Sequence, residues 1–259
     1  MAIFKNTSPI VTSGLTSYYD AISPTSYTSG STSWRSIISS SNITVTNFTN
    51  PNEYTFVDTR PTAIGFYQTA STINSSRTLF NLPILFSENF SLEIWYKTYT
   101  TASGHADQSQ SPGIFQIGSY AQNASISIWD WSGALPQGQH QIRTFTNNGA
   151  VWSHTTVSAT YSDAQWVNKY HQIVLNCSGS SGKWNKCDLY VDTVLVNTIN
   201  FTTPFPSGSI SGGDRVIAPQ CNGGAVNNVY ATIKTYNRYL TQAEVKQNYN
   251  ALKTRFNLS

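Results

Sequence analysis

A chain of 259 residues with a net charge of +3 is long enough for one large all-β domain or two small ones, and needs no disulfide or metal to close its core. Charged residues make up only 10%, against roughly 25% in ordinary soluble domains, and the scattered Lys and Arg form no basic patch, which excludes a nucleic-acid-binding module. No run approaches membrane-spanning length, and the opening MAIFKNTSPIVTSG is too polar for a secretory signal, so the chain is expected to be made in a cytoplasm and to stay soluble.

Residues 1–13 read as an N-terminal arm with Ile3 and Phe4 as its large apolar residues before Pro9. Two readings of it stand side by side: a loose terminus, or an arm that docks on a neighbouring subunit. From residue 14 to 259 the chain reads as one domain, without a linker or an internal repeat. Gly14–Asp20 alternates and predicts a first strand. Trp34 closes a turn-rich loop and is read as a core anchor. Short strands follow at Ile43–Phe48, Tyr54–Val57, Ala63–Tyr67 and Thr78–Phe80, separated by Asn, Pro and Gly turn signals. Phe90–Tyr99 gives the clearest two-residue period: Phe90, Leu92, Ile94 and Tyr96 face one way, Ser91, Glu93, Trp95 and Lys97 the other. Ile114–Ile117, Ser125–Trp131, Gln141–Phe145, Tyr170–Cys177, Cys187–Asp192, Val194–Asn200 and Val229–Tyr236 complete the series. Residues 201–219 are read as a Pro- and Gly-rich connection. Cys177, Cys187 and Cys221 are an odd set without metal spacing; the first two are placed to face each other across a hairpin, and in a reducing cell are expected as small buried thiols.

The end of the chain predicts one capped helix. Thr241 and Glu244 have the spacing of a capping box, and Leu240 and Val245 that of a hydrophobic staple. Val245, Tyr249, Leu252 and Phe256 then recur on one helical face. A single helix of this length is not stable alone in water, so its apolar stripe must lie on the body built by the strands. Many short strands without alternating helices predict an all-β fold: a two-sheet antiparallel jelly-roll sandwich with one C-terminal α-helix.

Little in the sequence points to catalysis. Glycosidases need two carboxylates at a fixed separation, but Glu93 is followed by Trp95 and Thr98, and Asp188 and Asp192 lack a paired Glu. These acids are read as exposed strand residues that keep the surface soluble. His105, His140, His154 and His171 are dispersed without zinc-ligand spacing, and His171 is read as a structural strand residue. The expectation is no catalytic residue, no metal and no cofactor. The segment SISIWDW (125–131) carries the one candidate contact site, Trp129, Asp130 and Trp131. With Ile126 and Ile128 in the core, two indoles point outward beside Asp130. Sugar rings stack on such aromatics, but the preferred expectation is that the tryptophans pack under a loop or in a subunit interface.

Three segments bear a family resemblance. WVNKYHQIVL (166–175) with LYVDTVLV (189–196) resembles the "W-H-x-V … LYVDG" hairpin of laminin-G-like domains in the concanavalin A-like superfamily. YNRYLTQAEVKQNYNALKTRF (236–256) is similar to the ending of such domains in tailed-phage virion proteins, and GLTSYYDA with Trp34 resembles their opening. Thr193 stands where that hairpin usually has Gly, and Asn227-Asn228 where relatives often carry an Asp; no acidic cluster replaces the calcium ligands of some relatives. The resemblance implies a viral setting and two functions, the first the main expectation and the second the alternative to it. One is a capsid decoration (cement) protein that oligomerises, as a trimer, on a bacteriophage head and partners the major capsid protein or other virion proteins. The other is a host-glycan-binding lectin module of a tail fibre or other receptor-binding virion protein.

Overall fold

In a computed structural model the described residues are 9–28, 31, 33–46, 54–59, 63–68, 79–81, 87–99, 113–119, 124–131, 138–148, 152–206, 215–217 and 228–258. Two antiparallel sheets carry the fold. The first has six strands in the order Leu15–Asp20 (β1), Asn228–Tyr236 (β16), Phe90–Thr98 (β7), His171–Ser180 (β12), Lys183–Val191 (β13) and Val194–Pro206 (β14). The second has eight, in the order Trp152–Ser162 (β11), Gln139–Asn148 (β10), Ala124–Trp131 (β9), Gly113–Ser119 (β8), Arg215–Ile217 (β15), Leu79–Asn81 (β6), Asn42–Thr46 (β3) and Ser33–Arg35 (β2). Tyr54–Thr59 (β4) and Ala63–Gln68 (β5) form a separate hairpin. Asp163–Trp166 (α1) links β11 to β12; Gln242–Leu252 (α2) follows β16 and runs into a 3₁₀ turn at Lys253–Phe256. The architecture is the expected jelly-roll sandwich with its C-terminal helix. Each sheet joins consecutive hairpin strands to partners distant in sequence, such as β1 with β16, β16 with β7 and β8 with β15.

The core lies between the inner faces. Phe90, Leu92, Ile94 and Tyr96 of β7 meet Ile126 and Ile128 of β9 and Ile142 of β10 in one buried cluster. Trp34 is fully buried there and meets Tyr19 edge-on at 6.0 Å. The sequence assigns no element to residues 146–165 beyond a loop, whereas the structure has β11 and α1 there. Ser and Thr dominate β11, so no apolar alternation marks it.

The polar face of β7 is where the structure departs most from the sequence reading. Ser91, Glu93, Trp95 and Lys97 are buried too, because α2 lies over that face. Phe256 and Tyr249 stack on Trp95 at ring distances of 4.5 and 5.5 Å. Glu93 is therefore no exposed surface acid. It is fully buried and pairs with Lys234 Nζ at 2.6 Å, while Asn248 Nδ2 of the helix donates to its other oxygen at 2.6 Å. Asp188, read the same way, is also buried; it accepts from Thr198 at 2.6 Å and from Lys186 at 2.7 Å. Both acids are held by structural partners.

The cap forms as the spacing predicts. Glu244 N donates to Thr241 Oγ1 at 3.2 Å, and Thr241 N donates to Glu244 Oε2 at 2.9 Å. Such a cap contributes about 1 kcal/mol. Leu240 and Val245 share one buried cluster, the expected staple. Arg238 forks onto Glu244 at 2.9 and 2.6 Å, and its guanidinium holds that carboxyl down at about 2.

Residues 9–13 settle on this same helix. Val11 N donates to Asn248 Oδ1 at 2.7 Å, Tyr236 OH donates to Val11 O at 3.2 Å, and Gln247 Nε2 donates to Pro9 O at 2.7 Å. This part of the arm docks on its own chain, with Val11 buried; residues 1–8 lie outside the described residues. Arg255 adds a two-pronged clasp onto Asp20 of β1 at 2.7 and 2.6 Å.

The turn between β13 and β14 places Asp192 and Thr193 at φ of 47° and 73°. Both are left-handed, the geometry of a two-residue hairpin turn that Gly suits at its second position. A β-branched Thr there is strained, at roughly 1–2 kcal/mol for a left-handed L-residue. Thr193→Gly should therefore stabilise the protein by about 0.5–1 kcal/mol after the extra unfolded-state entropy of Gly. An unchanged or lower urea midpoint would show that the turn is not strained.

Candidate functional site

The β9–β10 pair carries the site residues expected from the sequence. Strand alternation sends Ile126 and Ile128 into the core, and it sends Asp130 the same way. The expectation of Asp130 beside two outward indoles is thus corrected: its carboxylate is 1% exposed and both its oxygens are engaged inside the sandwich. Oδ1 meets His140 Nδ1 at 2.8 Å, and Oδ2 accepts from Trp166 Nε1 at 2.7 Å.

His140 has a second carboxylate on its far side, with Nε2 2.8 Å from Asp163 Oδ1. A carboxylate accepts only, so both ring nitrogens donate when the ring is the imidazolium. Burial pushes the ring's pKa down, but the hydrogen bonds and charges of Asp130 and Asp163 outweigh it and hold His140 above its ordinary value. Trp166 continues the chain of contacts. Its ring stacks on His171 at 4.0 Å and on Tyr161 at 4.8 Å. His171 in turn meets Asp192 Oδ2 at 2.6 Å and the Trp166 carbonyl at 3.2 Å. This network joins β9, β10 and α1 to β12 and the β13–β14 turn. Its polar atoms face one another, so it braces the two sheets.

The opposite face of β9 and β10 looks outward. Trp129 pairs in register with Arg143, and Trp131 with Gln141. The side chain of Trp131 lies outside the described residues; Trp129 is largely buried at the base of this face. Arg143 is half-buried, and its Nε and Nη2 both donate to Gln141 Oε1 at 2.9 and 2.7 Å. The amide holds the guanidinium in one orientation, and burial lowers its pKa. Val157 of β11 opposes Arg143 from the next strand and is 47% exposed. A guanidinium held in one orientation by an amide, above a largely covered indole, can donate to the oxygens of a ligand. Sequence reading found Trp129 but missed Gln141 and Arg143. Their signal was their place in the strand opposite the tryptophans, which only the pairing register supplies.

Among the described residues no three His, Cys, Asp or Glu side chains converge to hold a metal ion, and no helix is long and apolar enough to cross a membrane.

No protein-family model matches the chain, and no curated protein matches it in sequence. Solved structures do share the fold. The binding domain of botulinum neurotoxin DC in complex with SialylT aligns at a TM-score of 0.57 and 13% identity, over 92% of this chain and 51% of that one. The same binding domain in complex with rat synaptotagmin II gives 0.56 at 11% identity, over 92% and 52%. A Trypanosoma rangeli sialidase in complex with 2,3-difluorosialic acid gives 0.53 at 12% identity, over 95% and 34%. The chain thus spans about half the length of the neurotoxin domains and about a third of the sialidase. At these identities the likeness is one of fold, a two-sheet antiparallel β-sandwich.

Proposed function

We propose that residues 14–259 form a recognition domain of the lectin kind, which binds a host-surface glycan through the outward face of β9 and β10. The observation that carries this reading is the Trp129–Arg143–Gln141 group, an indole set cross-strand from a guanidinium that an amide orients. Aromatic rings with a polar handle suit a surface that is apolar on one side and wet on the other. The shared fold adds support: the neurotoxin binding domain meets SialylT in one complex and a synaptotagmin in another. Asp130 has no contact role in this reading; it braces the strands from behind. A glycan array probed with the purified protein should give saturable binding to a subset of sugars. Arg143→Ala and Trp129→Ala should each weaken it by about tenfold or more, as loss of a central contact does. An array without saturable binding would remove the glycan reading.

The capsid-decoration reading keeps one structural observation in its favour. Val194 and Leu195, 59% and 43% exposed, project where the edge strand β14 begins, and apolar exposure of this kind suits contact with other protein. It is supported also by the low charge and by the resemblance of the chain's ending to virion domains. It requires oligomers and affinity for a phage head. Mass measurement in solution should then give a trimer, and a monodisperse monomer that does not bind empty heads would leave the glycan reading alone.

A further inference from the structure

We propose that Cys177 and Cys187 are the site of an intrachain disulfide that closes when the chain folds in an oxidising medium. The turn between β12 and β13 sets the geometry. Ser181 and Gly182 take φ of 55° and 71°, the doubly left-handed form of a two-residue hairpin turn. A one-residue bulge at Asn185, between the Gly179–Trp184 and Ser178–Lys186 pairs, then shifts the register by one and places Cys177 directly opposite Cys187. Directly opposed residues of an antiparallel pair have Cα atoms about 4.5–5.5 Å apart, inside the roughly 4.4–6.8 Å that a disulfide spans. The two thiol sulfurs are already 2.7 Å apart, whereas non-bonded heavy atoms settle at roughly 3.5–4.0 Å. No strand has to move for the bond to form.

The surroundings decide when it forms. Both thiols are fully buried in the core between the sheets, with Phe90 and Ile199 as their register partners on the flanking strands. Burial, together with Cys177 and Asp188 nearby, pushes the Cys187 thiol well up. The thiolate is the nucleophile in exchange, so in the folded, reduced protein Cys187 resists ionising, and burial of both sulfurs keeps an oxidant out. The bond closes while the hairpin is still open to solvent. One thiolate attacks a sulfur of an oxidised thiol such as glutathione disulfide and expels one glutathione thiolate. The second cysteine thiolate attacks the mixed disulfide and expels the other. Two cysteine protons and two electrons leave, and two glutathione thiols form. The finished bond is then shielded from reductants by the core, so the redox state of the pair records the medium in which the chain folded.

The test is to refold the protein from denaturant in a glutathione redox buffer and, separately, with a reducing agent. Each product is alkylated under denaturing conditions and peptide-mapped by mass. In the oxidising arm the map should show a Cys177–Cys187 cross-link with Cys221 alkylated, and the unfolding midpoint should rise by about 5–10 °C over the reduced arm. A Cys221→Ser variant should give the same bridge and no alkylatable thiol. Two alkylatable thiols at 177 and 187 in natively folded, oxidising-arm protein would overturn the proposal. So would a bridge to Cys221, or an oxidised form melting at or below the reduced one. Rapid oxidation of the folded reduced protein without denaturant would overturn closure during folding.

Discussion

Lys234→Met should lower stability by about 3–5 kcal/mol, the usual cost of removing one partner of a buried ion pair. Glu93 and Lys234 are each fully shielded from water, on adjacent strands of the first sheet and under α2. The carboxylate is satisfied three times over: by Lys234 Nζ at 2.6 Å, by Trp95 Nε1 at 3.1 Å and by Asn248 Nδ2 at 2.6 Å. Met fills the space of the lysine stem but leaves a negative charge in the interior with no cation. The urea midpoint should fall while the slope of the transition stays constant. Glu93→Gln added to Lys234→Met should recover part of the loss, because it deletes the stranded charge; a double-mutant cycle separates that coupling from packing. A loss below about 1 kcal/mol for Lys234→Met would mean that water reaches the pair and screens it.

His140→Gln should also cost a few kcal/mol, by the same uncompensated-charge argument applied to Asp130, and its cost should depend on pH. The groups facing His140 are Asp130 from β9 and Asp163 from α1. Trp166 bonds the far oxygen of Asp130, and Tyr161 is the register partner on β11. Beyond Trp166 lies the His171–Asp192 pair. Tyr161 is pushed up to about 12, chiefly by burial, and so stays neutral over the range considered. The folded pKa of His140 is raised, so its stabilisation is complete below the ordinary imidazole value of about 6.5 and drains away as pH climbs through the raised folded value. The wild-type advantage over His140→Gln, measured as the difference in unfolding free energy between pH 6 and pH 9, should shrink toward the alkaline end. A difference that is flat with pH, or that grows, would show that the ring is neutral between its two carboxylates.

Much of the fold was legible because it is written in local chemistry. The Thr241–Glu244 box, the Leu240–Val245 staple and the alternation of Phe90–Tyr99 each predict a local structure that the fold then uses. What escaped is what depends on a second element. Alternation marked Glu93 as facing away from the core, which is true, but exposure follows only if nothing lies over that face; α2 does. The cross-strand partners Arg143 and Gln141, and the engagement of His140 by Asp130 and Asp163, come from register between strands, which no single stretch encodes. Asp130 is different. Its position two residues beyond Ile128 places it on the buried face by strand period alone, so its burial is written in the local sequence.

The place of β16 between β1 and β7 has a consequence for biosynthesis. Thr16 and Thr235 are hydrogen-bonded across that seam and 219 residues apart. At roughly 5–20 residues per second, a ribosome takes on the order of 10–40 s to deliver the second after the first. From the synthesis of β7 until β16 arrives, the edges of β1 and β7 that end up interior both stand open, and they can be met by a chaperone or by the nascent chain on the next ribosome of a polysome. How much of this protein a cell recovers in native form should therefore depend on the rate of translation and on holding factors, even where the finished sandwich is stable.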